Sequence, residues 1–242
     1  MRRESYRDRA LVVRTHDFGE ADRIVVLLTR DHGIVRGVAK GVRRSKSRFG
    51  SRLQLFVELD VQLYPGRNLS TISGADTVGY YASGIIDDFK RYSAASAILE
   101  IASSIAPMEQ GPYLFDATTS ALQRMQNAEH PVLLLDEYML RAMDHAGWAP
   151  SLFDCAQCGR PGPHTAFHPG AGGAVCLYCR PQGSAEVSAE TLHMMWLLAR
   201  GQGGRGLAEH PGLTGAIHRL ATAHLQWHLE RKLPTLEVLD QV

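Results

Sequence analysis

The sequence has no unbroken apolar run of about 18 residues, so no membrane-spanning helix is expected. Four cysteines are present, all between positions 155 and 179. They are too few and too clustered for a disulfide scaffold, which points to a reducing, intracellular setting. The first ten residues, MRRESYRDRA, are charged and have no apolar centre, so no secretory signal is expected there. No G-x4-G-K-[ST] loop is present to cradle a nucleotide phosphate. Neither G-x-S-x-G nor H-E-x-x-H occurs. Nothing positive argues for an enzyme.

What is present is enough for a packed core. The chain has 242 residues, 45% of them hydrophobic, and a formal charge of +1. That length suits one large domain or two to three small ones. The near-neutral total hides an asymmetry. Residues 1–81 hold 15 basic and 9 acidic side chains, a balance of +6, while the remainder holds 11 and 16, a balance of −5. A basic front joined to an acidic rear suggests an anion-binding module attached to something else.

The front reads as strands. ALVVRTH, RIVVLLT and GIVRGVA are short and β-branched. LQLFVELDVQLY alternates Leu53, Leu55, Val57, Leu59, Val61 and Leu63, a period of two that predicts one strand face. Turn signals separate the runs, at Asp17-Phe18-Gly19, Asp31-His32-Gly33 and Pro65-Gly66-Arg67-Asn68. A weaker fifth strand falls near Leu69 to Tyr80. Five short strands predict a small barrel or sandwich, with an OB barrel as one candidate.

After Tyr81 the period becomes helical. A helix is predicted over 85–106, ending before Pro107. A second opens at Pro112, with Leu114, Phe115, Thr118, Leu122 and Met125 inward. A third runs from Pro131 to a C-cap at Gly147. A fourth, over Ser188–Arg200, carries a stripe of Leu192, Met195, Trp196 and Ala199, and the last runs from Leu213 to Lys232 and stops at Pro234. The stripes are most simply core. Asp87-Asp88 and the His224/His228 pair are candidate metal ligands by spacing. Solvated acids and surface or satisfied histidines are the simpler reading.

Between the helices lies CAQCGRPGPHTAFHPGAGGAVCLYC, which is too poor in aliphatic residues to hold itself together. Cys155 and Cys158 form one C-x2-C pair, and Cys176 and Cys179 form another after seventeen residues. Each such turn aims two thiolates at one point, and two pairs complete a tetrahedron around zinc. Four cysteine ligands leave no open position, so one structural zinc per chain is expected. A disulfide, a thioredoxin-like redox pair and an iron–sulfur cluster are the competing readings. His164 or His168 replacing a cysteine is another, against ordinary surface histidines.

The charge asymmetry peaks in VRGVAKGVRRSKSRFGSR, residues 35–52, with seven cations and no acid. Arg36, Lys40, Arg43, Arg44, Lys46, Arg48 and Arg52 could release counterions from a phosphate backbone. Phe49 among them would serve as a base-stacking platform. The competing reading is a solvated loop. Arg14 and Arg23 could extend the cationic track, although Arg23 pairing with Glu20 or Asp22 is the simpler expectation.

Several blocks together resemble the RecO family of bacterial recombination and repair proteins. They are Asp17-Phe18-Gly19-Glu20-Ala21-Asp22-Arg23, Leu28-Thr29 with Gly33, Ala39-Lys40-Gly41-Val42-Arg43-Arg44, and Ser47-Arg48. Gly147-Trp148-Ala149-Pro150-Ser151-Leu152 and Cys155-Ala156-Gln157-Cys158-Gly159 also match, whereas Cys176-Leu177-Tyr178-Cys179 lacks the glycine that follows the first pair. The resemblance implies an α+β multidomain chain. Its expected parts are an OB-fold barrel (1–81), a helical domain in two parts (82–152 and 182–242) and a zinc-binding insert (153–181). It further implies a non-enzymatic, cytoplasmic, nucleoid-associated mediator that binds single- and double-stranded DNA and anneals complementary strands. Its implied partners are RecR, with which it loads RecA onto coated single strands, and the C-terminal tail of the single-strand-binding protein. The alternative is a pure assembly module whose basic loop binds an acidic protein tail. A metal-dependent nuclease is a third, weaker possibility.

Overall fold

The computed structural model describes residues 4–108, 111–202, 207 and 210–239. Contacts divide the chain into two units, Met1–Asn127 and Ala128–Val242. In the first unit, β1 (Tyr6–Phe18), β2 (Asp22–Thr29), β3 (Gly33–Ala39), β4 (Val57–Tyr64) and β5 (Ser70–Tyr80) form a closed barrel. The order is β1-β2-β3-β5-β4, with only the β3–β5 pair parallel. This is the OB-like architecture expected from five short, turn-separated strands.

The alternating residues of β4 explain its place. Val57, Leu59, Val61 and Leu63 point inward and join Ala10, Val12, Val25, Leu27 and Ile72 in the barrel core. Closure demands a glycine on β3: a Cβ at Gly37 would lie 2.7 Å from Ile72 Cγ1. The strand is shorter than its alternation suggests. Phe56 has φ 64°, a left-handed value that ends extended structure, so the strand starts at Val57. Leu53 is nonetheless buried and Leu55 packs on the same core, from a turn.

Two helices complete this unit. Asp88 caps α1 (Phe89–Ile105) by accepting from the Arg91 N–H at 2.8 Å, which gives Asp88 a structural role, while Asp87 is exposed. After Pro112, α2 (Tyr113–Met125) buries Leu114, Phe115, Thr118, Leu122 and Met125 as expected. Both helices pack against β1. Arg30 and Asp116 form two hydrogen bonds of 3.0 and 3.1 Å between barrel and α2.

In the second unit, α3 (Pro131–His145), α4 (Ala189–Ala199) and α5 (Pro211–Leu229) pack on one another. Ser188 caps α4, accepting from the Thr191 N–H at 3.0 Å. Gly147, at φ 75°, closes α3 in the left-handed conformation that suits glycine. Leu192 and Met195 are buried, while Trp196 and Ala199 are only half-buried. The last helix differs from expectation at its end. α5 stops at Leu229 because Glu230 turns left-handed (φ 52°), and Pro234 begins a further short helix, α6 (Pro234–Leu239), at the first-turn position proline favours. Among the described residues, no helix is long and apolar enough to cross a membrane.

Candidate nucleic-acid interface and metal centre

The basic segment leaves β3 at Ala39 and returns as β4, and it is pinned to the barrel rather than free. The Gly41 N–H donates to Asp22 Oδ1 at 2.7 Å, and the Arg43 N–H donates to the Ala21 carbonyl at 2.9 Å. Val42, Phe49 and Leu53 plug into the barrel core. This corrects the role given to Phe49. Its side chain is 1% exposed, so it anchors the loop and cannot stack on a base. An aromatic flanked by cations satisfies both readings in sequence, and only burial separates them.

The seven cations are all exposed but not equally free. Arg43 shares Asp17 with Arg23, at 3.5 and 3.1 Å, so the partner of Arg23 is Asp17 rather than Glu20 or Asp22. Arg52 donates to the Ala75 carbonyl at 3.0 Å. Arg48 lies over the Phe49 ring, 4.8 Å from its centroid. Arg36, Lys40, Arg44 and Lys46 have no carboxylate partner among the described residues.

Strand pairing adds neighbours that the sequence left unconnected. Arg14 lies opposite Val26, and Val26 opposite Arg36, so two exposed arginines flank one half-buried valine across β1-β2-β3. The next row is His16, Ile24 and Val38, and Phe18, half exposed, lies two residues further along β1. On the same outer face nearer the start of β1, Leu11 and Leu28 pair and are fully covered. The outer sheet face is therefore apolar and buried at one end, cationic and open at the other. The spacing of Arg14, His16 and Phe18 at i, i+2 and i+4 is the sequence signal for this row; its alignment with Arg36 needs the register.

In the insert, β6 (Ala166–His168), β7 (Gly173–Val175) and β8 (Ala185–Glu186) form a small sheet in the order β7-β6-β8. The metal-ligating atoms of Cys155, Cys158, Cys176 and Cys179 all lie within 4.8 Å of one another. Cys158 Sγ and Cys176 Sγ are 3.9 Å apart. A zinc–sulfur distance of about 2.3 Å gives a tetrahedron edge of about 3.8 Å, so the set fits the ion. Gly159, at φ 69°, lets its N–H reach back to the Cys155 carbonyl at 2.8 Å. The Cys176 N–H donates to Cys155 Sγ, which pulls that thiol down to about 6 despite its desolvation. Hydrogen bonds from neighbouring sulfurs, Cys158 first, push Cys179 up to about 12. Four sulfurs this close resist ionising together, and a dication at their centre reverses that preference. The four thiols can thus hold a metal ion, consistently with zinc.

The histidines near the insert are structural. His164 is buried with Nε2 2.9 Å from the Arg160 carbonyl, correcting its expected surface position. His168 Nδ1 accepts from the Ala171 N–H at 3.2 Å. His224, also buried, donates to the Trp148 carbonyl at 2.9 Å and packs edge-on to Phe167. Burial pushes its pKa down to about 4, so it is neutral at pH 7. Trp227 lies against Gly170, where a Cβ would approach its ring to 2.6 Å. α5 thus braces the insert, whose own core is a small cluster of Ala166, Ala171, Val175, Cys155 and Cys176. His224 and His228 do not form a metal group; among the described residues the four cysteines are the only cluster of the kind.

An OB-like barrel with a pinned cationic loop, joined to helices that carry a four-thiol centre, defines a modular OB-fold protein. Residues 1–81 match the family described as Recombination protein O N terminal, and residues 86–237 match Recombination protein O C terminal. The chain belongs to the RecO family of recombination mediators, which act in recombinational repair of DNA.

Proposed function

We propose that this chain binds single- and double-stranded DNA and anneals complementary strands without making or breaking a covalent bond. The observation that carries the reading is the loop. Arg36, Lys40, Arg44 and Lys46 stand exposed without carboxylate partners among the described residues, on a segment pinned to the barrel by Val42, Phe49 and Leu53. A backbone already pinned leaves only the side chains to be ordered when they meet phosphates. Arg43, Arg48 and Arg52 add charge while bracing the loop, and Arg14 extends the track across the sheet. A cationic surface lowers the repulsion between two polyanionic strands and keeps them close enough to pair. No general base or nucleophile is needed.

On the same reading the protein works in the cytoplasm at the nucleoid and associates with RecR. With RecR it helps load RecA onto single strands coated by the single-strand-binding protein, whose C-terminal tail is a further partner. One structural zinc per chain holds the insert, with domain limits near residues 81, 152 and 181. Strand annealing by wild type and by the Arg43→Glu, Arg44→Glu, Lys46→Glu variant tests the core of it. Wild-type affinity should fall roughly 10³-fold between about 50 and 200 mM salt, if about six phosphates are contacted. A shallow slope that the charge reversal leaves unchanged would assign the loop to an acidic protein partner instead.

A further inference from the structure

Leu177 and Tyr178 are the most exposed large hydrophobic side chains among the described residues, at 79% and 84%. They sit between two thiol ligands, Cys176 and Cys179, in a turn closed by the Cys179 N–H donating to the Cys176 carbonyl at 3.1 Å. The apolar pair is therefore held outward and cannot retreat into the thin core of the insert. The Arg160 guanidinium, from the turn after the first cysteine pair, lies 4.7 Å from the Tyr178 ring centroid. One ring face is backed by a cation and the other is open. Arg180 follows the knuckle, half-buried, and makes a long pair with the exposed Glu186, at 3.5 Å.

We propose that the Leu177–Tyr178 knuckle is a second contact for single-stranded DNA, on which an unpaired base stacks against Tyr178. It rests on the DNA-binding reading above and places a base contact where the barrel loop, with Phe49 buried, offers none. An exposed aromatic backed by arginine is a sequence-tolerant base platform. The size of the patch favours a base over a protein. An aromatic side chain can bury about 150–250 Å², far short of the roughly 1,200 Å² of a stable protein interface. Beside the two cysteine turns in the chain, the exposed Gln157, Gly159, Gln182 and Gly183 are polar or small, and Phe153, the insert's other exposed large apolar side chain, packs edge-on to His193 and Trp196. Between residues 153 and 187, Arg160 and Arg180 are balanced by Asp154 and Glu186. The knuckle therefore contributes stacking rather than counterion release, and its share of binding is insensitive to salt.

Binding of the zinc-loaded full chain to fluorescent oligo(dT), at two salt concentrations, tests this. Tyr178→Ala should weaken binding about tenfold, the scale of one stacked base. The salt slope, zinc content and melting temperature should stay at wild-type values, and Tyr178→Trp should restore affinity. The loop variant should instead lower affinity and flatten the slope. If Tyr178→Ala binds as wild type while the loop variant weakens, the knuckle proposal fails and the DNA reading stands. If the loop variant changes nothing and wild type binds no DNA, both fail. Loss of the RecR complex by Tyr178→Ala, with DNA affinity intact, assigns the knuckle to protein and overturns the proposal. Should Tyr178→Ala lose zinc, photocrosslinking of wild type to iodouracil-substituted oligonucleotide decides. A crosslink at Tyr178 is expected, and crosslinks confined to the barrel overturn it.

Discussion

The basic loop and the cysteine insert face the same difficulty and solve it differently. Both are long, glycine-containing segments with little core of their own. The loop borrows an existing core: Val42, Phe49 and Leu53 enter the barrel, and its cations stay in water between these anchors. The insert brings four thiols to one point and leans on α5 through Phe167 against His224 and Gly170 against Trp227. Apolar anchors each contribute a few kcal/mol and fail one at a time. A closed metal site fails as a whole, because its ligands act together.

The largest expected effect follows from that contrast. Metal binding in zinc-finger peptides is worth about 10–16 kcal/mol, so Cys158→Ser should release the ion and unfold the insert. Elemental analysis should fall from one zinc per chain to none, with protease cleavage appearing between residues 153 and 187. Retained metal and an intact insert would remove the distinction between the two regions.

Next comes charge. Reversing Arg43, Arg44 and Lys46 should cost more DNA affinity at low salt than at high, with only a small loss of thermal stability, because the one ion pair broken, Arg43 with Asp17, is exposed. Phe49→Ala should do the opposite. Emptying a fully buried phenylalanine site costs about 3–5 kcal/mol, visible as a lower denaturant midpoint. DNA affinity per folded molecule should change little. A pure stacking defect, with stability intact, would return Phe49 to the role first read from the sequence.

The smallest effect concerns pH and the α5 side of the insert. The folded pKa of His224, lowered to about 4, lies below its usual value of 6.5. Stability from neutral His224 is therefore full above about pH 6.5 and is lost as pH falls toward 4, because the unfolded chain takes up the proton first. The loss between pH 7 and 5 should be about 2 kcal/mol, with burial of His228 adding to it in the same direction. His224→Gln should flatten the slope in urea melts, and an unchanged slope would show that the titration lies elsewhere.

Much of this was readable before any fold was known, for local reasons. The period of two in β4, the proline and serine starts of α2, α3 and α4, and the paired C-x2-C turns are short-range signals that need no partner to interpret. Long-range packing hid the rest. Leu53 and Leu55 keep the strand alternation through a turn, because the core they share lies beside them. Pro234 reads equally as a stop and as a start. His164 looks like a surface histidine until its carbonyl partner, Arg160, is known, and which of surface or satisfied describes His224 is decided by the Trp148 carbonyl.

The sequence by itself determined that strands come first and helices after, the two C-x2-C pairs and the concentration of positive charge, since each depends on neighbours within a few residues. Only the tertiary structure decided which cations are free, because Asp17 and Ala75 reach Arg43 and Arg52 across the barrel. It also decided that Phe49 faces inward while Tyr178 faces out. Burial is a property of what packs against a side chain, and nothing in the identity of an aromatic flanked by arginines specifies that.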